Sequence, residues 1–251
     1  MFEAIVAFLA GLFVSAQPVA TDQTVLPAPV AVEAEAPVQL AAMAPTPPEP
    51  LQHAHPIIES GHSTASQADY EAWIAKPRNA ERVAEFEEAL RAEGVLDVVP
   101  TYQILRTALS WKDCSAEAFE LPERGMWAGA ISSLKTLRDD IIPALGDVEI
   151  VSGYRHETLN RCAGGASRSV HRQFGAFDGY VVADISRGEM IDRLCTWHGQ
   201  RGAELAAGLG IYRGKKFHID VGLRGNRRWG SDYSSRSSPC NGAGGGISTA
   251  K

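Results

Sequence analysis

The sequence predicts an α+β fold, and two observations carry that expectation. The stretches Asp69–Glu93 and Gly125–Ile141 repeat apolar residues every three to four positions, as a helix with one buried face does. Shorter apolar runs, Val148–Val151, Tyr180–Ile185 and Phe217–Val221, have the length and bounding residues of strands.

In chain order, Ala4–Ala16 is an apolar run too short for a bilayer, which takes about 20 residues. It suits the h-region of a signal peptide, and Val14-Ser15-Ala16 offers small residues for cleavage. The preceding Met-Phe-Glu lacks a cation, so an uncleaved anchor is the alternative for residues 1–16. Either way the expectation is a secreted or periplasmic, envelope-located protein with no further membrane span. Residues 17–56 are Ala, Pro, Val and Glu with almost nothing bulky, a composition that cannot offset chain entropy by burial. They read as a disordered tether, in which the metal-like pair His53-Ala54-His55 has no rigid support, and His62 just beyond it belongs to no motif.

Residues 57–95 read as a helical N-terminal extension: Trp73 in an early segment, a break at Lys76-Pro77, then Val83, Phe86, Ala89 and Leu90 before Gly94 as a stop. Residues 96–240 form the main domain. It opens with an extended segment and a short helix before Trp111, followed by a helix from Gly125 to Ile141 with Trp127, Ala130, Ile131, Leu134, Leu137 and Ile141 on one face and Pro143 near its end. Strand Val148–Val151 then delivers Arg155. Tyr180–Ile185 is a further strand, Met190 to about Ala207 a helix closed by Gly208-Leu209-Gly210, and Phe217–Val221 the second arm of a hairpin. The Gly-rich tail, 241–251, reads as disordered.

Residues 1–68 hold six carboxylates and no Lys or Arg, so the whole net charge of −6 sits in the leader and tether and the remainder is balanced. A balanced folded part has no electrostatic footprint for nucleic acid.

The chemistry concentrates in two places. His171 and Asp178 lie seven positions apart in a loop containing Gly and Phe, a span that can fold imidazole and carboxylate onto one point. A catalytic zinc takes three protein ligands and leaves a fourth position open, and His218 is the natural third. Because residues i and i+2 of a strand share a face, Asp220 projects beside it, as a general base or as a group that orients the ligand.

Ser152-Gly153-Tyr154-Arg155, Asn160, Gly164-Gly165-Ala166, Ser169-x-His171, Asp178, Phe217-His218-Ile219-Asp220 and Trp229 together resemble the zinc peptidases of family M15, the D-Ala-D-Ala carboxypeptidases and murein endopeptidases. The resemblance implies a small antiparallel sheet with flanking helices, of the hedgehog/DD-peptidase type. It implies Zn2+ held by His171, Asp178 and His218, catalysis by Arg155, and substrate contacts from Arg155 and Ser169, to which the adjacent Tyr154 is added; either Asp220, from the strand reading, is the catalytic base or the base is elsewhere. The implied substrate is a peptidoglycan peptide, hydrolysed by a monomer; an inactive module that keeps the fold and binds peptidoglycan is the alternative. Three positions depart from the pattern. Phe174 stands where many members have glycine, Asp184 in Ala-Asp-Ile competes with Asp178, and Lys215 occupies the place where several branches carry the basic carboxylate.

His156 and His198 fall outside every ligand spacing. The four cysteines, Cys114, Cys162, Cys195 and Cys240, form no C-x2-C pair; with an exported chain they imply two disulfides, in one of three connectivities.

Overall fold

The computed structural model describes residues 64–242. The leader, the tether, His53, His55, His62 and the tail from 243 onward lie outside them. Within this range, none of the helices is long and apolar enough to cross a membrane.

Five strands form one sheet in the order β1-β2-β4-β3-β5: β1 Val148–Ser152, β2 Ala176–Val181, β3 Gly208–Ile211, β4 Lys216–Asp220 and β5 Arg227–Trp229. The first three pairings in that order are antiparallel and the last, β3 with β5, is parallel. Helices flank it: α1 Gln67–Ile74, α2 Asn79–Ala92, α3 Thr101–Ile104, α4 Trp127–Thr136, α5 Ile142–Leu145, α6 Glu157–Cys162 and α7 Arg187–Arg201. The fold is α+β.

Local chemistry explains most boundaries. Ser66 opens α1 and Ser186 opens α7 with reciprocal capping boxes to Asp69 and Glu189. The helix expected to run to Ile141 continues further than its periodicity indicated. After α4 the backbone widens into a π-helical turn over Leu137–Ile141, passes Pro143 and ends at Gly146, whose φ of 80° is left-handed. Pro143 has no N–H to return to the preceding turn, and a π-bulge accommodates the missing bond.

Two expected elements fall differently. The strand placed at Tyr180–Ile185 is β2 and starts at Ala176, so Asp178 lies on a strand rather than in a loop. The segment Gly208-Leu209-Gly210 does not end a helix: α7 stops at Arg201 and these residues are β3. Both glycines are there for space. A Cβ on Gly208 would stand 2.3 Å from Asp220 Oδ2, and one on Gly210 2.6 Å from Trp229 Nε1.

Alternation along β2 and β4 divides the sheet into two faces. Phe177, Phe217 and Ile219 are fully buried in the core, which also takes in Trp73, Val83, Phe86 and Leu90 from α1 and α2. The rings of Phe86 and Trp127 lie 5.1 Å apart, so the N-terminal helices are part of this core. The opposite face carries Asp178, Lys216, His218 and Asp220. Two disulfides staple the periphery, Cys114–Cys162 and Cys195–Cys240, so all four cysteines pair. Each closes a loop of more than 40 residues, for which chain entropy assigns a stabilisation of about 4 kcal/mol.

Candidate metal centre

The segment after β1 builds half of the centre. Ser152 Oγ donates to the carbonyl of Thr107 at 2.6 Å, and the Gly153 N–H to that of Arg106 at 2.7 Å, so the turn is anchored from below. A side chain at 153 would strike the Ile104 carbonyl, with its Cβ only 2.4 Å away, hence glycine. The Gly153 carbonyl then receives His171 Nδ1 at 2.6 Å, and the Arg155 N–H donates to the His171 carbonyl at 3.1 Å. The Ser-Gly-Tyr-Arg turn is thus a clamp that fixes one histidine.

His171 itself sits on a 3-10 turn, Val170–Gln173, that ends at Phe174 with φ of 51°. This is the left-handed conformation for which glycine is usual, at a cost of roughly 1–2 kcal/mol for other residues. Phe174 is fully buried, against Phe86 at 5.8 Å and Tyr154 at 6.1 Å. Burying a phenylalanine returns about 1.5–3 kcal/mol, enough to hold the turn without glycine.

The other half comes from the sheet. Asp178 on β2 stands directly opposite His218 on β4 and opposite Ser152 on β1. His171 Nε2, His218 Nδ1 and Asp178 Oδ1 form a triangle with edges of 3.0, 3.1 and 3.4 Å. All three side chains are buried.

The hydrogen bonds around the triangle decide what it can hold. His171 Nδ1 faces a carbonyl, which only accepts, so the proton lies on Nδ1 and the lone pair on Nε2. His218 Nε2 lies 2.8 Å from Asp220 Oδ2, so its proton lies there and the lone pair on Nδ1. Two imidazole lone pairs and a carboxylate oxygen therefore converge with no proton assigned to the gap, which calls for a cation. Donors about 2.05 Å from a tetrahedral zinc are about 3.3 Å apart, so the triangle fits one face of such a site.

Electrostatics leave two of the three ligand atoms bare and give the third a proton to lose. Burial, with the Arg155 charge beside it, pushes His171 down to about 4, so it is a neutral ligand at ordinary pH. Burial raises Asp178, but the charges of His171 and Lys216 and the histidine hydrogen bonds outweigh it and hold the carboxyl well below its usual range. Burial works against protonating His218 too, yet the hydrogen bonds to Asp178 and Asp220 win and raise it.

The remaining expected site residues divide. Arg155 lines the cleft, its NH1 3.8 Å from Asp178 Oδ2, and Ser169 lines it as well. Tyr154 is not brought there: its ring packs on Phe174. Asp220 sits behind His218, fully buried, with its second oxygen taken by Arg227. Asp184 is exposed beyond β2, and the Lys215 ammonium donates to the Ala183 carbonyl at 3.1 Å.

Trp229, named with the motif, joins the site, and Tyr212 and Lys216 join it without having been singled out. Trp229 packs on the His218 ring at 5.0 Å and donates its indole N–H to the Tyr212 hydroxyl at 3.3 Å. Lys216 stands on the face shared by His218 and Asp220, a position that strand alternation alone could have indicated. The gap opens into a cleft of about 1100 Å³.

Residues 103–220 match the model of the family Peptidase M15. This stretch is an M15 peptidase domain. The matched span contains the whole triangle and its Arg155 clamp. No curated protein and no solved structure matches the chain.

Proposed function

We propose that the protein is a zinc-dependent peptidase that hydrolyses peptidoglycan stem peptides outside the cytoplasm. The observation that carries this reading is the juxtaposition of a metal-competent triangle with a guanidinium whose one ionic neighbour, Asp178, lies beyond hydrogen-bond distance. Arg155 is largely buried, makes no side-chain hydrogen bond among the described residues, and its Nε is sealed from solvent. Such a group is built to receive an oxygen anion from a ligand.

The chemistry that zinc supplies when bound is Lewis acidity, which acidifies a water and polarises the scissile carbonyl. The chain's own residues do the rest. Gly153 and Asp220 fix the two histidine tautomers so that both lone pairs face the gap. Arg155 takes the developing oxyanion or the terminal carboxylate of the peptide, and Ser169 lies at the rim on the substrate side. Asp220, in this arrangement, is a positioning residue.

One observation favours a second reading, a peptidoglycan-binding module without turnover. Among the described residues lining the cleft, the only carboxylates are Asp178 and Asp220, and both are already engaged.

The full-length protein, made under oxidising conditions and assayed for metal, should bind one zinc per chain and cleave purified muropeptides. Mass spectrometry distinguishes loss of a terminal D-Ala, a carboxypeptidase, from scission of cross-links, an endopeptidase. Stoichiometric zinc with no product would establish the binding module, and absence of zinc would remove both readings.

A further inference from the structure

The cleft holds more positive charge than one substrate carboxylate can use. Residues 216, 218 and 220 of β4 share one face, so Lys216 projects to the same side as the two site residues. Its ammonium lies 5.3 Å from the centre of the Tyr212 ring and 3.9 Å from Asp178 Oδ2. Arg155 reaches that same oxygen from its own side at 3.8 Å. Both distances exceed a hydrogen bond, so one carboxylate oxygen stands between two cations and spends the donors of neither.

Nothing nearby restores the balance. Asp220 is engaged by His218 and Arg227, and no carboxylate among the described residues pairs with Arg168 or Arg213, which also line the cleft. A solvated lysine would lie at the surface; the Lys216 side chain is only 24 % exposed, and it is held over an aromatic ring within a walled cleft. Since the chain from residue 69 onward is balanced in charge, this is a local excess that focuses a positive field on the site.

We infer that Lys216 is a specificity residue that receives a second carboxylate of the substrate, so that the preferred substrates are peptides with two free carboxylates close to the scissile amide. This rests on the peptidase reading of the cleft. Arg155 takes one anionic group and Lys216 the other. A peptide whose second carboxylate is amidated leaves the ammonium with no anion nearer than the Asp178 oxygen at 3.9 Å.

The test uses two synthetic peptides with the same D-Ala-D-Ala terminus and an upstream acidic residue that is free in one and amidated in the other. Binding is measured by calorimetry on the chelator-treated full chain, where no bond is cut, and KM on the zinc-loaded protein. The diacid should bind about tenfold or more tightly than the amide, a preference that shrinks as salt is raised. Lys216→Met should bring the ratio close to one, and Lys216→Arg should restore it. Equal binding of both peptides by the wild type, binding of neither, or an unchanged preference in Lys216→Met would overturn the inference. A Lys216-dependent preference in binding with no cleavage of either peptide would uphold it while overturning hydrolysis.

Discussion

Two arginines, each withdrawn from water, serve opposite ends. Arg106 is 1 % exposed and spends two of its three nitrogens on the fold, Nε on the Ala65 carbonyl at 2.9 Å and NH1 on Glu149 at 2.6 Å and on the Ile150 carbonyl at 2.7 Å, while its buried NH2 makes no hydrogen bond among the described residues. It ties the segment before α1 and the chain after α3 to strand β1. Arg155, further along the chain, has no hydrogen bond from its side chain among the described residues, and a carboxylate no nearer than 3.8 Å. A desolvated guanidinium without acceptors is a cost to the folded state. The core region contains a charge that is already answered, whereas the cleft contains one whose answer must come from a ligand.

Exchanging the effects of the two residues would break the comparison. Arg106→Ala should cost about 3–5 kcal/mol of stability, because it removes one member of a buried ion pair together with the bonds to the Ala65 and Ile150 carbonyls. Arg155→Ala should leave stability within about 1 kcal/mol yet lower kcat/KM by roughly 10²–10³-fold, the scale of a lost oxyanion donor. Denaturant unfolding and steady-state hydrolysis of a muropeptide measure the pair. If Arg155→Ala unfolds as readily as Arg106→Ala, Arg155 is structural and the ligand argument goes with it.

The same contrast explains what the sequence made legible. Helix faces, capping serines and the strand carrying His218 were readable because each rests on local spacing. His171, Asp178 and His218 were readable through their order in a motif, and that order survived even where Phe174 replaces glycine, since burial among aromatic rings stabilises the same left-handed turn. What was not readable depends on neighbours distant in the chain. Gly208 and Gly210 looked like helix terminators because the atoms that exclude a side chain there belong to Asp220 and Trp229. Asp178 looked like a loop residue because its strand is defined by pairing with β1 and β4. Tyr154 looked like a ligand contact by adjacency to Arg155, but successive residues point to different sides, and its ring serves the core. The split roles of Arg106 and Arg155 have no signature in sequence at all, since both are simply arginines near strands.

Asp220 sharpens the comparison, being near the site yet with both oxygens engaged, by His218 and by Arg227. Asp220→Asn removes the carboxylate that fixes the His218 tautomer and should weaken zinc binding about 10–100-fold. Turnover per bound zinc should then recover when the variant is saturated with metal. A general base at this position would instead leave the metal-saturated variant slow, so titration of activity against free zinc separates positioning from proton transfer.

The smallest effect concerns protons that compete with the metal for the triangle. A ligand nitrogen must be bare to bind, so affinity depends on pH only where a ligand carries a proton. Asp178 is held well below its usual range and His171 is pushed down to about 4, so neither competes near neutrality. His218 is raised above its ordinary value, chiefly because hydrogen bonds to Asp178 and Asp220 overcome its burial. Zinc affinity should therefore be flat at high pH, then fall about tenfold per unit once the pH drops below the His218 midpoint, with the slope of a single proton until His171 begins to titrate. In Asp220→Asn the midpoint should move down, since a carboxylate that holds the imidazolium has gone, even as affinity at high pH is reduced. Competition with a chelating dye across this range measures both. A slope of two protons near neutrality would mean that burial and the Arg155 charge do not hold His171 neutral, and the electrostatics of that half of the centre would have to be redrawn.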